Sequence, residues 1–297
     1  MLDRDAGRLA DAAGRADRSP AGSGAVAGTG LPIDRDRVAA ELGFGGLTDN
    51  SIDAVSDRDY AIETVAALAI LLGHLSRLGG ELVLWSTPYL GFARLDDAFS
   101  SGSSMLPNKR NPDPAELVRG KTARVIGALT AVLVILKGLP LAYQRDLQED
   151  KPPLFGAIAA WEGSLGVMAG LITTLAVDRE RMRAAAGEGY TTATAIADAL
   201  VRRGVPFRVA HHVVGSLVAQ AEGEGIGLEA MPDAMIGGAL AAVDDETARG
   251  LAAENGIGDQ IRQAASIKGA LETCDVIGGT APRRVAEALA AARARLG

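Results

Sequence analysis

The segment that most constrains the fold is a long helical pattern, which begins near Asp113 and is predicted to end near Lys137, before Gly138 and Pro140. At ~1.5 Å per residue this helix would be about 36 Å long. Its second half, VIGALTAVLVILK at 125–137, is apolar nearly all round. A helix of this kind has to be buried on every side, either inside a helical bundle or at a subunit interface.

The start of this helix carries capping signals. Asp113 is predicted to be the N-cap, with Pro114 at the first helical position and Glu116 at N3. This is an acidic variant of the capping box. Proline suits its place because the N–H groups of the first turn have no partner inside the helix.

Other helical patterns flank this one. A long apolar helix is predicted from Asp59 to about Trp85, with a bend at Gly79–Gly80, and another is predicted over 152–182. Shorter helices follow over 192–203 and up to about residue 222, while residues 18–34 and 86–113 have the composition of loops. We find neither an internal repeat nor strand alternation. The predicted fold is therefore all-α, with a long-helix bundle domain over residues 1–182 and a small helical domain over 183–297.

Composition excludes several classes of function. The chain has 297 residues and a net charge of −7, so no basic field favours nucleic acid as a partner. No uninterrupted apolar run reaches the ~18 residues of a membrane span, and the charged start does not resemble a signal peptide. Cys274 is the single cysteine, and the three histidines form neither a metal-binding nor a nucleophile pattern. We therefore expect a cytoplasmic protein without a metal site and without contact with a membrane.

Two stretches resemble nucleotide-binding motifs. Gly22, Gly24 and Gly28 come close to a dinucleotide fingerprint, but no strand precedes them and Pro32 follows. The triplet GKT at 120–122 would need a glycine at the position of Ala115 to complete a phosphate-binding loop. We set both interpretations aside.

Three polar segments interrupt the helical pattern. The first, SSGSSMLPNKRNPD at 100–113, offers Lys109 and Asn111 near a helix N-terminus. A cation and an amide there could hold a carboxylate or the charge that develops on one. A solvated loop ending in a helix cap explains the same residues.

The second polar segment, GLPLAYQRDLQEDKPP at 138–153, links two long helices and brings acceptors and Lys151 to one end of the bundle. The third, LTDNSIDAVSDRDY at 47–60, precedes the first long helix. An ordinary charged connection accounts for the second segment, and helix capping accounts for the third.

In this order, the segments resemble the argininosuccinate lyase family of the fumarase and aspartase superfamily. GSSMLPNKRNPD at 102–113 is similar to the signature loop of the superfamily, which adenylosuccinate lyases share. The segment KGLPLAYQRDLQEDK at 137–151 points to argininosuccinate lyase in particular. The resemblance continues through further segments along nearly the whole chain: LPIDR at 31–35, NSIDAVSDRD at 50–59, LVRGKTARVIG at 117–127, GVPFRVAH at 204–211 and GGTAP at 278–282.

The resemblance implies a reaction and a set of residues for it. The reaction would be elimination of fumarate from argininosuccinate to give arginine, without a metal or an organic cofactor. Ser103 matches the catalytic base, and Glu116 matches the acidic residue that supports the catalytic histidine. Lys109 and Asn111 match groups that stabilise the aci-carboxylate. The matches to residues that bind argininosuccinate are Tyr143, Gln148 and Lys151.

The resemblance also implies a homotetramer in which long helices from four subunits form a central bundle and three subunits contribute to each site. The family has two further site segments, a serine-arginine-asparagine-aspartate loop and a threonine-histidine loop, and neither occurs within these 297 residues. The expectation is therefore a chain that is truncated at its N-terminus relative to the family, and that does not cleave the substrate alone.

Two alternatives stay open. The chain could be another lyase or cycloisomerase of the superfamily, such as an adenylosuccinate lyase, although the 138–151 segment argues against this. It could also be a non-catalytic helical assembly protein, as in the lens crystallins that resemble this lyase.

Overall fold

The computed structural model describes residues 1–102, 105–106 and 110–296. The chain forms two compact units, Met1–Asp178 and Arg179–Gly297. Helices make up most of both units, so the predicted all-α fold is confirmed. The predicted boundary after residue 182 stays a prediction; that residue lies within a helix that begins at Arg179.

The first unit is built on three long helices. Its α-helices are α1 (Leu2–Ala16), α2 (Arg35–Leu42), α3 (Ser51–Ser56), α4 (Asp59–Trp85), α5 (Asp113–Leu136) and α6 (Lys151–Thr174). Among the described residues of this unit, four two-residue strands form two antiparallel pairs, β1 (Ala93–Arg94) with β4 (Ala176–Val177) and β2 (Ser101–Gly102) with β3 (Arg110–Asn111). Short 3₁₀ helices cover Asp97–Phe99 and Arg145–Asp150.

Helices α4 and α5 pack closely and run antiparallel. Thr122 in α5 donates its hydroxyl to the carbonyl of Leu72 in α4 at 3.1 Å. Nearer the other end of the pair, a Cβ atom added at Gly79 would lie 2.8 Å from the carbonyl oxygen of Ala115. Glycine at position 79 therefore allows the two backbones to approach closely. Helix α4 continues through Gly79–Gly80 without a break.

The start of α5 differs from the prediction. The helix begins at Asp113, which places Pro112 at the N-cap position, and no side chain caps it. The Asp113 carboxylate instead accepts a hydrogen bond from the Ser101 hydroxyl. The predicted capping box is therefore wrong, because a partner in the preceding strand takes the carboxylate that the cap would use. The predicted end is confirmed, since Lys137 follows the last helical residue.

The helix predicted over 152–182 is also wrong in its extent. Helix α6 ends at Thr174, and Leu175 has extended backbone dihedral angles. The chain then pairs as β4 with β1, and Asp178 N donates to Phe92 O at 2.9 Å. No glycine or proline marks this end, so only the pairing with a distant strand ends the helix.

The second unit consists of shorter helices around a core of its own. They are α7 (Arg179–Gly187), α8 (Ala193–Arg202), α9 (Phe207–Glu224), α10 (Asp233–Ala241), α11 (Glu246–Ala252), α12 (Ile257–Ala265), α13 (Ile267–Thr273) and α14 (Pro282–Leu296). Short 3₁₀ helices cover Glu188–Tyr190 and Leu228–Ala230. Ile196, Leu217 and Ile236 are fully buried at the centre of the core. The two helices predicted first in this region, over 192–203 and to about residue 222, are confirmed as α8 and α9.

By length and composition, two helical segments of the described residues could cross a membrane, Asp59–Trp85 and Arg145–Thr174. Both pack into the core of the first unit, where Leu68 and Leu72 of α4 and Leu171 of α6 are buried. The core of the bundle therefore accounts for part of their apolar character.

Candidate active site

Helix α5 separates the predicted site residues into two groups. Asn111 lies just before its first residue, whereas Tyr143, Gln148 and Lys151 follow its last. At ~1.5 Å per residue, the 24 residues of α5 span about 36 Å. Leu136 at its end lines a cavity together with Ala142 and Leu147 of the 138–151 segment. One copy of the chain therefore holds the two groups at opposite ends of its bundle.

At the first end, a hairpin forms the base of the loop that resembles the superfamily signature. Ser101 pairs with Asn111, and Gly102 pairs with Arg110. Arg110 also forms an ion pair with Asp97 at 2.7 Å. These contacts fix the two ends of the loop. The predicted residues Ser103 and Lys109 lie outside the described residues.

Two predicted residues at this end are described. Asn111 is half-buried within β3, and Glu116 is exposed on the first turn of α5. An exposed carboxylate on a helix face is available to a neighbouring molecule. Among the described residues of the first unit no histidine accompanies it, because His74 contacts Asp5 of α1 instead.

The opposite end contains a buried carboxylate that joins two of the polar segments. Asp150 is 2% exposed, and its Oδ2 accepts from Arg58 Nε at 2.6 Å. Its Oδ1 accepts from Lys151 Nζ at 2.5 Å. A buried carboxylate needs such partners, because an uncompensated charge in the interior is costly. The two contacts of Asp150 therefore fix Lys151 relative to Arg58 of the third polar segment.

Of the other predicted binding residues, Tyr143 is 46% exposed and lines a cavity, and Gln148 is exposed. Ala142, directly before Tyr143, has a φ of 77°, which is uncommon for a residue other than glycine. The structure therefore brings Tyr143, Gln148 and Lys151 to one end of the bundle, as the sequence order suggested.

Helix capping accounts for part of the third polar segment. The Asn50 side chain accepts from the backbone N–H groups of Ile52 and Asp53 at the start of α3, and Asp57 Oδ1 accepts from Asp59 N at 2.7 Å. Arg58 has a different role, because its guanidinium reaches Asp150 across 92 residues of sequence. Arg58 and Asp150 belong to the third and the second polar segment, and the sequence did not reveal that they pair. Their opposite charges were a signal, but no sequence spacing ties them together.

Acidic residues accumulate around this segment. Burial, together with the charge of Asp57, raises the pKa of Asp59 above its usual value. Within the described residues, no group of three or more His, Cys, Asp or Glu side chains is arranged to hold a metal ion. The cluster is therefore a region of excess negative charge.

His74 has a contact that the sequence did not reveal. Its Nδ1 lies 2.6 Å from Oδ2 of Asp5, which is fully buried and also accepts from Arg8 at 2.8 Å. This network therefore joins His74 of α4 to Asp5 and Arg8 of α1.

Comparison with known proteins gives matches in both units. A family model described as Lyase matches residues 1–127, and one described as Argininosuccinate lyase C-terminal matches residues 190–272. Solved structures of EDDS lyase, one in complex with formate and one of a variant with bound fumarate, have a TM-score of 0.86 and 33% identity, and cover 99% of this chain and 58% of theirs. A fumarate lyase:delta crystallin from Brucella melitensis, at 21% identity and a TM-score of 0.61, shares the fold.

Two curated relatives are named argininosuccinate lyase. The protein from Symbiobacterium thermophilum is 58% identical over 218 residues, which cover 73% of this chain and 47% of that protein. The protein from Desulforudis audaxviator is 49% identical over 296 residues, which cover 100% of this chain and 61% of that protein. The chain therefore spans about half to three fifths of the length of these relatives.

The family models and these relatives identify a member of the fumarase and aspartase superfamily of lyases. Within that superfamily, the chain belongs to the argininosuccinate lyase family.

Proposed function

We propose that this protein takes part in the elimination of fumarate from argininosuccinate, which leaves arginine. A proton leaves the carbon next to a succinate carboxylate, the carbon–nitrogen bond breaks, and the leaving nitrogen takes up a proton. The observation that carries the proposal is the 49% identity to an argininosuccinate lyase along the whole chain. The hairpin base and the polar cluster at the other end of α5 support it.

Each predicted residue has a part in this reaction. Ser103 removes the proton, while Lys109 and Asn111 stabilise the negative charge that develops on the carboxylate. Glu116 supports the catalytic histidine of the family. Tyr143, Gln148 and Lys151 bind the substrate. Asp150 holds the Lys151 ammonium in place through the 2.5 Å contact.

We infer further that each site combines residues from several subunits of a homotetramer. The length of α5 supports this, because about 36 Å separates the two groups of site residues in one copy. Exposed apolar side chains on the long helices support it as well. Such residues on α4, α5 and α6 include Ile70, Leu84, Ile126, Leu133, Val134, Phe155 and Ile172. Leaving them in water costs about 25 cal/mol per Å².

A mixing experiment tests the proposal. The 297-residue chain and the full-length Desulforudis relative, which carries serine to alanine at its own signature loop, are assayed for fumarate release separately and after co-expression. We expect turnover only in the mixture, because shared sites let each chain supply what the other lacks. Robust turnover by the 297-residue chain alone would contradict the shared site.

A substitution in the mixture tests the role of Ser103. Ser103→Ala should lower turnover by about 10² or more, the usual scale for an acid–base group. Ser216→Ala, an exchange of a serine in α9 of the second unit, should leave turnover unchanged. Equal rates for the two variants would remove Ser103 from the mechanism.

This reaction belongs to arginine biosynthesis and, in organisms that have it, to the urea cycle. We place the protein in the cytoplasm, in keeping with the substrate being a small metabolite and with the single cysteine.

A further inference from the structure

Three charged side chains form a row at one end of the first unit's bundle. Arg58 Nε lies 2.6 Å from Oδ2 of Asp150, and Lys151 Nζ lies 2.5 Å from Oδ1 of the same carboxylate. The side chain of Asp150 is 2% exposed, that of Arg58 is 14% exposed and that of Lys151 is 49% exposed. Each cation therefore occupies its own carboxylate oxygen, and Lys151 is the member of the row that extends into solvent.

Arg58 is held from its own side of the row. It lies between α3 and α4, and its Nη1 donates to the carbonyl of Asp57 at 2.5 Å. Asp57 is fixed in turn, since its backbone N–H donates to Asp53 O at 2.8 Å and its Oδ1 accepts from Asp59 N at 2.7 Å. The Arg58 guanidinium is therefore anchored by a contact that does not involve Asp150.

The backbone that carries the other two side chains is restricted as well. Leu147 is 1% exposed in the 3₁₀ helix that ends at Asp150, and Lys151 is the first residue of α6. Pro152 and Pro153 follow, and each proline ring fixes its own φ. Because the backbone is restricted in this way, the contact with Asp150 decides where the flexible Lys151 side chain places its ammonium group.

The three charges of the row sum to one positive charge. Two cations share one buried carboxylate, and each donates to a different oxygen. Without Arg58, the carboxylate of Asp150 would depend on the Lys151 ammonium for its compensation. An uncompensated buried charge is costly, so the carboxylate would then bind this ammonium more strongly. Arg58 therefore controls how much of the positive charge of Lys151 remains for another anion.

We propose that Arg58 is a positioning residue for substrate binding, which acts through Asp150 and not by contact with the substrate. It occupies Oδ2 of Asp150, so that the Lys151 ammonium is held through Oδ1 and keeps its exposed side for an anionic group of the substrate. The inference rests on the proposed function, in which Lys151 binds argininosuccinate.

The acetylation rate of Lys151 measures how strongly its ammonium is held. Acetic anhydride reacts with the uncharged amine, so a lysine that a carboxylate holds as a cation reacts slowly. The whole 297-residue protein is treated at neutral pH, and mass spectrometry of its peptides gives the rate at Lys151. Lys268 of the second unit, whose side chain is 80% exposed, is the internal reference. This measurement needs no turnover.

Substitutions of Arg58 test its effect in protein that circular dichroism shows to be folded. Arg58→Gln should slow the acetylation of Lys151 by about threefold to tenfold, because a neighbouring cation is lost and the ammonium pairs more strongly with Asp150. Arg58→Lys keeps the charge and should restore most of the rate. An unchanged or a raised rate in folded Arg58→Gln protein would overturn the proposal.

A matched control comes from the second unit. Arg262 is 26% exposed and forms ion pairs with two carboxylates, those of Asp233 and Asp259. Arg262→Gln therefore removes a partly buried, paired guanidinium far along the chain from the row, and it should leave the acetylation rate of Lys151 unchanged. An equal slowing by Arg262→Gln and Arg58→Gln would mean that the effect is not specific to the row.

A second pair of variants shows whether Arg58 acts through Asp150. Asp150→Asn should raise the acetylation rate of Lys151, since the amide does not hold the ammonium as a carboxylate does. Adding Arg58→Gln to Asp150→Asn should change this rate by less than about twofold, because the released ammonium lies in solvent, where charges are screened. The double variant contains no uncompensated carboxylate at position 150, so it decides the question even where Arg58→Gln alone does not fold. A much slower rate in the double variant than in Asp150→Asn would show that Arg58 acts on Lys151 directly, against the proposal.

The labelling pattern separates this inference from the proposed function. If the mixed assembly releases no fumarate but the acetylation of Lys151 follows the expected pattern, the proposed reaction fails and the control of Lys151 by Arg58 stands. If fumarate is released and Lys151 of the Arg58→Gln variant reacts at the unsubstituted rate, the reaction stands and Arg58 has no positioning role.

Discussion

Asp275 and Glu254 of the second unit lie in electrostatic surroundings opposite to those of Asp59 in the first unit. In the second unit, Asp275 forms ion pairs with Arg283 and Arg284, and Glu254 pairs with Arg203. These guanidinium groups lower the pKa of Asp275 and of Glu254. In the first unit, Asp59 has no such compensation, and burial with Asp57 nearby raises its pKa.

The apolar surfaces also differ in arrangement. Both units leave apolar side chains exposed, such as Ile277 in the second unit, but in the first unit several of them, such as Leu133, lie along helices of 24 residues or more. The difference indicates two uses of the same residue types. Asp275 and Glu254 are neutralised by guanidinium groups of their own unit, whereas Asp59 and the exposed apolar side chains along the long helices of the first unit remain available to partners and ligands.

The largest effect is expected from a charge on the exposed face of α5. Leu133 is 47% exposed, and Leu133→Glu should abolish the tetramer or make the chain insoluble, because it places a carboxylate in the proposed interface. Sedimentation velocity measures the change. Ile277→Glu, at a 93% exposed position of the second unit, should sediment as the unsubstituted protein does. A tetramer formed by the Leu133→Glu variant would show that this face of α5 does not take part in the subunit interface.

Core substitutions should separate the stabilities of the two units. Leu75→Ala in the first unit and Leu217→Ala in the second each empty a fully buried position, which costs about 2–5 kcal/mol in the free energy of unfolding. Calorimetry should show two transitions, of which each variant lowers a different one. A single transition that both variants lower equally would mean that the two units unfold together.

A smaller effect is expected where α4 crosses α5. Gly79→Ala places a Cβ atom 2.8 Å from Ala115 O and should cost about 1–3 kcal/mol. Gly73→Ala on the same helix has open space around it and should stabilise by up to about 1 kcal/mol, because alanine is the better helix former. Urea unfolding measures the change in the free energy of unfolding for each variant. Changes of the same sign for the two variants would argue against the close approach of the two helices.

The smallest effects concern the acidic residues, and they should have opposite signs. The pKa of Asp275 is lowered in the folded state, so its contribution to stability is present above its unfolded pKa and is lost as pH falls through the folded value. Asp275→Asn should therefore destabilise at neutral pH, with the difference vanishing in acid.

For Asp59 the sign is reversed. Its pKa is raised in the folded state, so its favourable contribution is present below its unfolded pKa and is lost as pH rises through the folded value. Asp59→Asn should stabilise slightly at neutral pH and not at low pH. Urea unfolding at neutral and acidic pH checks both variants, and shifts of the same sign would contradict the contrast between the units.

Local patterns determined much of this protein. The apolar runs predicted α4 and α5, and Gly138 marked the end of α5, because helix periodicity and helix-ending residues act within a few residues of sequence. The order of the polar segments indicated the family, and the family models and relatives confirm it. The proposed roles of the site residues stay predictions.

Contacts between distant segments were decided only by the tertiary structure. Pairing of β4 with β1 ends α6 at Thr174, although no residue there disfavours a helix. The Ser101 hydroxyl donates to the Asp113 carboxylate, which was predicted to cap α5. Arg58 donates to Asp150, which lies 92 residues further along the chain. Sequence spacing encodes periodicity, whereas these contacts depend on which segments the folded bundle brings to the same end.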